Sequence, residues 1–148
     1  MNEFELINTW FDGHSTARAD VRLGVGDDAA LIALGADREL VTASACTMAT
    51  GEATEADNQA IPTLEPEEIA SRCYDEALQA LLAQQATPAW AVLCLCLEQV
   101  DSDWLQRFAT RLHACLRSHQ VQLIGGDTTR GPTHVTLFLS GYRSQSAQ

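Results

Sequence analysis

The sequence predicts an α+β domain: a mixed β-sheet with two amphipathic helices on one face. Three observations carry this. The apolar periodicities run in the order strand-strand, helix, strand, helix, strand-strand. The chain has 148 residues, enough for one domain with its own core. Two glycine-aspartate segments, Gly24–Asp28 and Gly125–Asp127, lie beside strand-like runs about a hundred residues apart.

The elements follow in chain order. Phe4, Ile7 and Phe11 space a short helical stripe at the start. Residues 12–22 read as a polar loop. An acidic turn at Gly24–Asp28 leads into a strand over residues 29–34, and a hairpin turn at Gly35–Arg38 returns it as a second strand over residues 39–45. Residues 47–63 are small and polar and form a surface loop. Pro66 opens a helix to about Gln85, with Glu65, Glu67 and Glu68 where the helix dipole favours acids. Its buried stripe is Ala70, Cys73, Tyr74, Ala77, Leu78 and Leu81, and Thr87-Pro88 ends it. The apolar run from Trp90 to Leu97 is a central strand. Asp101 or Ser102 caps the next helix, whose stripe is Leu105, Phe108, Leu112, Cys115 and Leu116. Val121–Ile124 is a short strand that enters the Gly125-Gly126-Asp127 turn, and Val135–Tyr142 is the last strand. Residues 1–142 make the domain, and 143–148 fray as a disordered tail.

Composition excludes several partners. Nine basic against twenty acidic residues give a net charge of −11, unsuited to nucleic acid or to an anionic membrane. There is no lysine, so no P-loop lysine grips a phosphate. No apolar run reaches the ~20 residues needed to span a bilayer. Five cysteines without zinc spacing, and a start that lacks a secretory signal pattern, fit a reducing cytoplasm. Cys94 and Cys96 share a strand face as packing residues.

The chemistry sits in the two acidic segments. Gly125 and Gly126 let a ligand approach backbone N–H groups, and Asp127 offers a hard-cation carboxylate. Thr128 and Thr129 add hydroxyls, and Arg130 can neutralise a phosphate. Asp27 and Asp28 pair two carboxylates, a common way to hold the magnesium that bridges phosphates. Gly-Asp turns are also ordinary structural devices, so a binding site and a purely structural pair of turns both remain open.

The segments EFELI (residues 3–7), LGVGDDAALI (23–32), TPAW (87–90) and QLIGGDTTRGP (122–132) resemble the thiamine-monophosphate kinase family. The resemblance is to its N-terminal domain, in the aminoimidazole-ribonucleotide-synthetase-like superfamily, and covers essentially the whole chain. It implies a ferredoxin-like domain that dimerises through its β-sheet, and a site for ATP and Mg²⁺. It also implies that Asp27, Asp28, Ser44 and Asp127 face metal, and that Gly125, Gly126, Asp127, Thr128 and Arg130 face the nucleotide. The chain departs from the family at Cys46 and Ala80, where the family has metal aspartates. The substrate histidine of the family has no counterpart after Gly51, and the protein is expected to lack the family's C-terminal domain. The implied function is a kinase-like protein with a partial ATP and Mg²⁺ site and no efficient phosphoryl transfer of its own. An active thiamine-phosphate kinase and a ligand-free dimer module are the alternatives.

Overall fold

The computed structural model describes residues 2–26, 28–49 and 63–145. A short helix α1 (Glu3–Trp10) precedes two short strands, β1 (Val21–Leu23) and β2 (Leu31–Ile32). The main body follows as β3 (Arg38–Met48), α2 (Pro66–Ala83), β4 (Thr87–Leu97), α3 (Ser102–Ser118), β5 (Gln122–Arg130) and β6 (His134–Ser144). The main sheet has the order β3-β6-β4-β5, with β6 antiparallel to both neighbours and β4 parallel to β5. The expected α+β class is the observed one.

Helices α2 and α3 form where the apolar stripes place them, whereas α1 buries Leu6 and Trp10 and leaves Phe4 of its expected stripe exposed. In α2 the residues Ile69, Ala70, Cys73, Tyr74, Ala77, Leu78 and Leu81 are buried, and Pro66 opens the helix at a position where its missing N–H costs nothing. Asp101 caps α3 by accepting from the backbone N–H of Asp103 (3.0 Å) and Trp104 (3.3 Å). The buried stripe of α3 includes His113 in place of the expected Cys115, which is only half-buried. Both helices join one core with Leu93, Leu95, Leu137 and Leu139 of the sheet, to which Leu6 and Trp10 of α1 and Phe11 just after it add. Arg107 of α3 clamps the start of α2, donating to Glu67 (2.6 and 2.9 Å) and to Glu65 (2.6 Å).

Four expectations need correction. The hairpin across Gly35–Arg38 does not form: β2 pairs with β1 (Val21↔Ile32), whereas β3 joins the main sheet beside β6. The physical reason is packing, because Val21 and Ile32 sit on a second small core of Ala89, Trp90 and Ile124. The Gly125-Gly126-Asp127 turn is also not a turn. β5 runs through it, with Gly126 opposite Leu93 and Asp127 opposite Cys94, after a bulge that leaves Ile124 without a register partner. A glycine pair inside a strand marks close backbone approach here, not chain reversal. Reversal comes at residues 131–133, which carry the chain across the end of β4 to its other side; Gly131 N–H donates to the Leu97 carbonyl (3.0 Å). Third, Thr87 and Pro88 belong to β4, since the helix has already ended at Gln84 and the backbone turns at Gln85 (φ 59°). Last, β6 continues two residues past Tyr142, and Arg143 pairs with Glu39 at 2.9 Å.

The sheet face opposite the helices is partly open. Its edge strand β3 exposes Leu40 and Met48, and β6 exposes Phe138. All five cysteines are free. Among the described residues no helix is long and apolar enough to cross a membrane.

Candidate phosphate and metal site

The two acidic segments, distant in sequence, line one cavity. It measures about 340 Å³ and is bordered by Gly26 and Asp28 on one side and Gly125, Gly126, Asp127 and Thr128 of β5 on the other. Helix α1 supplies a third wall with Glu3, Phe4, Ile7 and Asn8, and Leu93, Leu95 and Leu123 form the apolar floor. Gly126 is what allows this geometry. A Cβ placed there would lie 1.8 Å from the Leu93 carbonyl oxygen, so only glycine lets β5 run this close to β4. Gly125 has nothing within 4 Å of such a Cβ, so the backbone there is uncovered. Asp127 is exposed, and one carboxylate oxygen accepts from the Thr128 N–H at 2.9 Å, which fixes the side chain beside the strand.

Not every residue implied by the resemblance joins them. Asp28 and Asp127 share the cavity, while Asp27 lies outside the described residues. Arg130 lines a neighbouring cavity of about 270 Å³ with Asn2, Leu97 and Thr129, which touches the first through Glu3 and Thr128. Ser44 stands on β3, at the opposite edge of the sheet from β5. Three strand spacings put it roughly 14 Å away. Cys46 is exposed on the same strand, not partly buried as a packing residue would be, and Ala80 is exposed on α2. The family's histidine position after Gly51 lies outside the described residues, as does most of the 47–63 loop.

No arginine or histidine lines the larger cavity among the described residues, whereas Glu3, Asp28 and Asp127 do. A bare phosphate would meet carboxylates, backbone N–H groups, the Asn8 amide and the Thr128 hydroxyl there, and no cationic side chain among the described residues. The donor set instead suits a hard divalent cation that brings phosphate with it, since magnesium takes one or two protein carboxylates and completes its shell with phosphate and water. Among the described residues no group of three or more His, Cys, Asp or Glu side chains is arranged to hold a metal alone.

A cluster absent from the sequence reading ties residues 15–20 to β4 and β5 beside this site. Ser15 Oγ accepts from the Leu123 N–H (2.9 Å), and the Arg18 N–H donates to Gln122 Oε1 (2.6 Å). The Arg18 guanidinium donates to both oxygens of Asp20 at 3.0 and 2.8 Å, and Trp90 Nε1 donates to the same carboxylate at 3.1 Å. Arg18 holds the Asp20 carboxyl below the usual carboxylate range, with partial burial opposing and the Trp90 indole assisting. An Arg-x-Asp pair in a polar stretch was the available signal.

Comparison with known proteins places this geometry. Residues 26–142 match the family model described as AIR synthase related protein, N-terminal domain. The chain belongs to this family. It is 39% identical over 140 residues to thiamine-monophosphate kinase of Salmonella typhimurium, covering 95% of this chain and 41% of that relative. The crystal structure of thiamine-monophosphate kinase from Stenotrophomonas maltophilia K279a superposes with a TM-score of 0.72 at 32% identity, over 86% of this chain and 38% of that one. AaThiL complexed with AMPPCP and TMP shares the fold, with a TM-score of 0.60 at 15% identity, over 75% of this chain and 34% of that one. The chain thus spans about two fifths of the length of the curated relatives it matches. The resemblance to the N-terminal domain of thiamine-monophosphate kinases holds at the level of sequence and fold alike.

Proposed function

We propose that this chain carries half of a thiamine-monophosphate-kinase-like site, which binds Mg²⁺·ATP through Asp28, Asp127 and the Gly125–Thr128 backbone and does not transfer phosphate efficiently alone. The observation that carries the reading is the shared cavity of Gly26, Asp28 and Gly125–Thr128. The two carboxylates suit magnesium, and the glycine backbone suits phosphate oxygens. Bound magnesium supplies the positive charge that offsets the phosphates, the larger part of catalysis in this class of transfer. The kinases that this chain resembles, among them AaThiL complexed with AMPPCP and TMP, support a nucleotide as the ligand. Cys46 and Ala80, standing where the family has carboxylates, argue against efficient transfer, because a thiol is a poor magnesium ligand and a methyl group is none.

The same reading includes a homodimer through the sheet. Leu40, Met48 and Phe138 are 54%, 47% and 44% exposed, an apolar set on one face that a second copy would cover. Titration calorimetry with Mg²⁺·ATP tests the site. Heat of binding is expected for the wild type and none for Asp127→Ala; no heat at millimolar nucleotide, from a protein with a normal unfolding transition, sinks the binding claim. Formation of thiamine diphosphate from ATP and thiamine phosphate by a clean preparation would overturn the claim of inefficient transfer. A monomer in light scattering at micromolar concentration would overturn the dimer.

A further inference from the structure

We propose that Asp20 is a positioning residue for the metal carboxylate Asp28, acting by fixing the β1–β2 arm against the sheet. The inference rests on the metal–nucleotide reading above and adds a residue to it. Asp20 immediately precedes β1. Its carboxylate takes three hydrogen bonds, two from Arg18 and one from the Trp90 indole, so it ties the arm to the central strand β4. Its backbone carbonyl accepts from the Ala33 N–H at 2.7 Å, just beyond β2. One residue therefore clamps the base of the arm at both strands. Arg18 extends the clamp to β5 through Gln122 and to the chain ahead of it through the Gln120 carbonyl (3.1 Å), with its guanidinium 5.7 Å from the Trp90 ring centroid.

The arm needs such a clamp. Its ladder is three residues against two, with Leu23 and Leu31 exposed, and a two-stranded ribbon of that size is marginal without anchoring. Asp28 lies between the two strands and is itself exposed. Where it stands relative to Asp127 is set by the arm's base. Magnesium holds its ligands at about 2.0–2.1 Å, so a shift of the arm by a fraction of a strand spacing separates the two carboxylates beyond joint ligation. The charge-assisted bonds at Asp20 are the strong, directional kind that hold such a geometry.

The test compares wild type, Asp20→Asn and a control, Glu39→Gln, which removes a carboxylate paired with Arg143 elsewhere on the sheet. Amide hydrogen exchange reads the arm, and Mg²⁺·ATP titration reads the site. Asp20→Asn is expected to speed exchange at Val21–Leu23 and Leu31–Ile32 about tenfold, leave β4 and β6 protected, and weaken Mg²⁺·ATP binding about tenfold, the change that ~1.4 kcal/mol makes. Glu39→Gln is expected to change neither. Trp90→Phe removes one of the three bonds, keeps an aromatic ring of smaller size, and is expected to give intermediate values in both, which covers the case of an Asp20→Asn protein that does not fold. Unchanged arm exchange in these variants overturns the proposal, and so does a loosened arm with wild-type affinity for Mg²⁺·ATP. A wild type with a protected arm that binds no Mg²⁺·ATP overturns the functional reading itself, and with it any positioning role, leaving Asp20 as a structural clamp.

Discussion

The adjacent glycines of β5 make opposite predictions from one motif. Gly126→Ala would put a methyl group 1.8 Å from the Leu93 carbonyl oxygen and 2.8 Å from its carbon. Carbon–oxygen contacts rest near 3.3 Å, so β5 and β4 must separate locally by about 1.5 Å. Backbone cannot yield as a side-chain tip can. One or two ladder hydrogen bonds beside Leu93 would be lost at roughly 1 kcal/mol each, and overpacking adds roughly 1–3 kcal/mol. The expected loss is roughly 2–5 kcal/mol, or roughly 5–20 °C in the unfolding midpoint for a chain of this size. Gly125→Ala meets nothing within 4 Å, and restricting the unfolded chain makes it neutral to about 1 kcal/mol stabilising. Urea unfolding of both variants at equal protein concentration decides. Equal costs at the two positions, or a loss below about 1 kcal/mol at Gly126, would refute the account of β5 as a strand pressed against β4.

Two further outcomes are expected. His113 is buried with Nε2 donating to the Trp10 carbonyl (2.7 Å) and Nδ1 unpartnered among the described residues; burial lowers its pKa below 6.5, the Trp10 bond opposes, and the adjacent His14 and Arg117 lower it further. The unfolded chain then takes up the proton first. Stability conferred by neutral His113 is complete above pH 6.5 and falls as pH drops through that value toward the folded pKa, at up to about 1.4 kcal/mol per pH unit; His113→Gln should flatten that slope in urea midpoints from pH 8 to 5, and an unchanged slope would refute it. Leu137→Ala, at a fully buried position in the middle of the sheet, should cost about 2–5 kcal/mol, against less than about 0.5 kcal/mol for Leu82→Ala on the outer face of α2; similar values from denaturant titration would contradict the core described here.

What the sequence made legible follows from where the physics is local. Helices α2 and α3 were readable because each repeats its apolar residues over at least four turns, and a cap or a proline marks where each begins. The long apolar strand β4 was readable for the same reason. Two of the errors share a cause, which is that a glycine-containing segment is locally ambiguous. A Gly-Gly-Asp segment satisfies the rules for a turn, and it also satisfies the rules for a strand lying too close to its neighbour for any side chain. Only the position of the Leu93 carbonyl chooses between them, and that is information from 33 residues away. The hairpin misreading at Gly35–Arg38 is of the same kind, since local alternation cannot say which sheet a strand joins. The site divides along this line too. The two acidic segments that line the cavity were legible because Gly-Asp chemistry is written in neighbouring residues. Arg18, Asp20 and Trp90 were not, because a three-way clamp across 72 positions leaves only an unremarked charge pair in the sequence. The clamp is therefore the part of the site whose disruption separates a domain that only folds from one that holds two carboxylates in register.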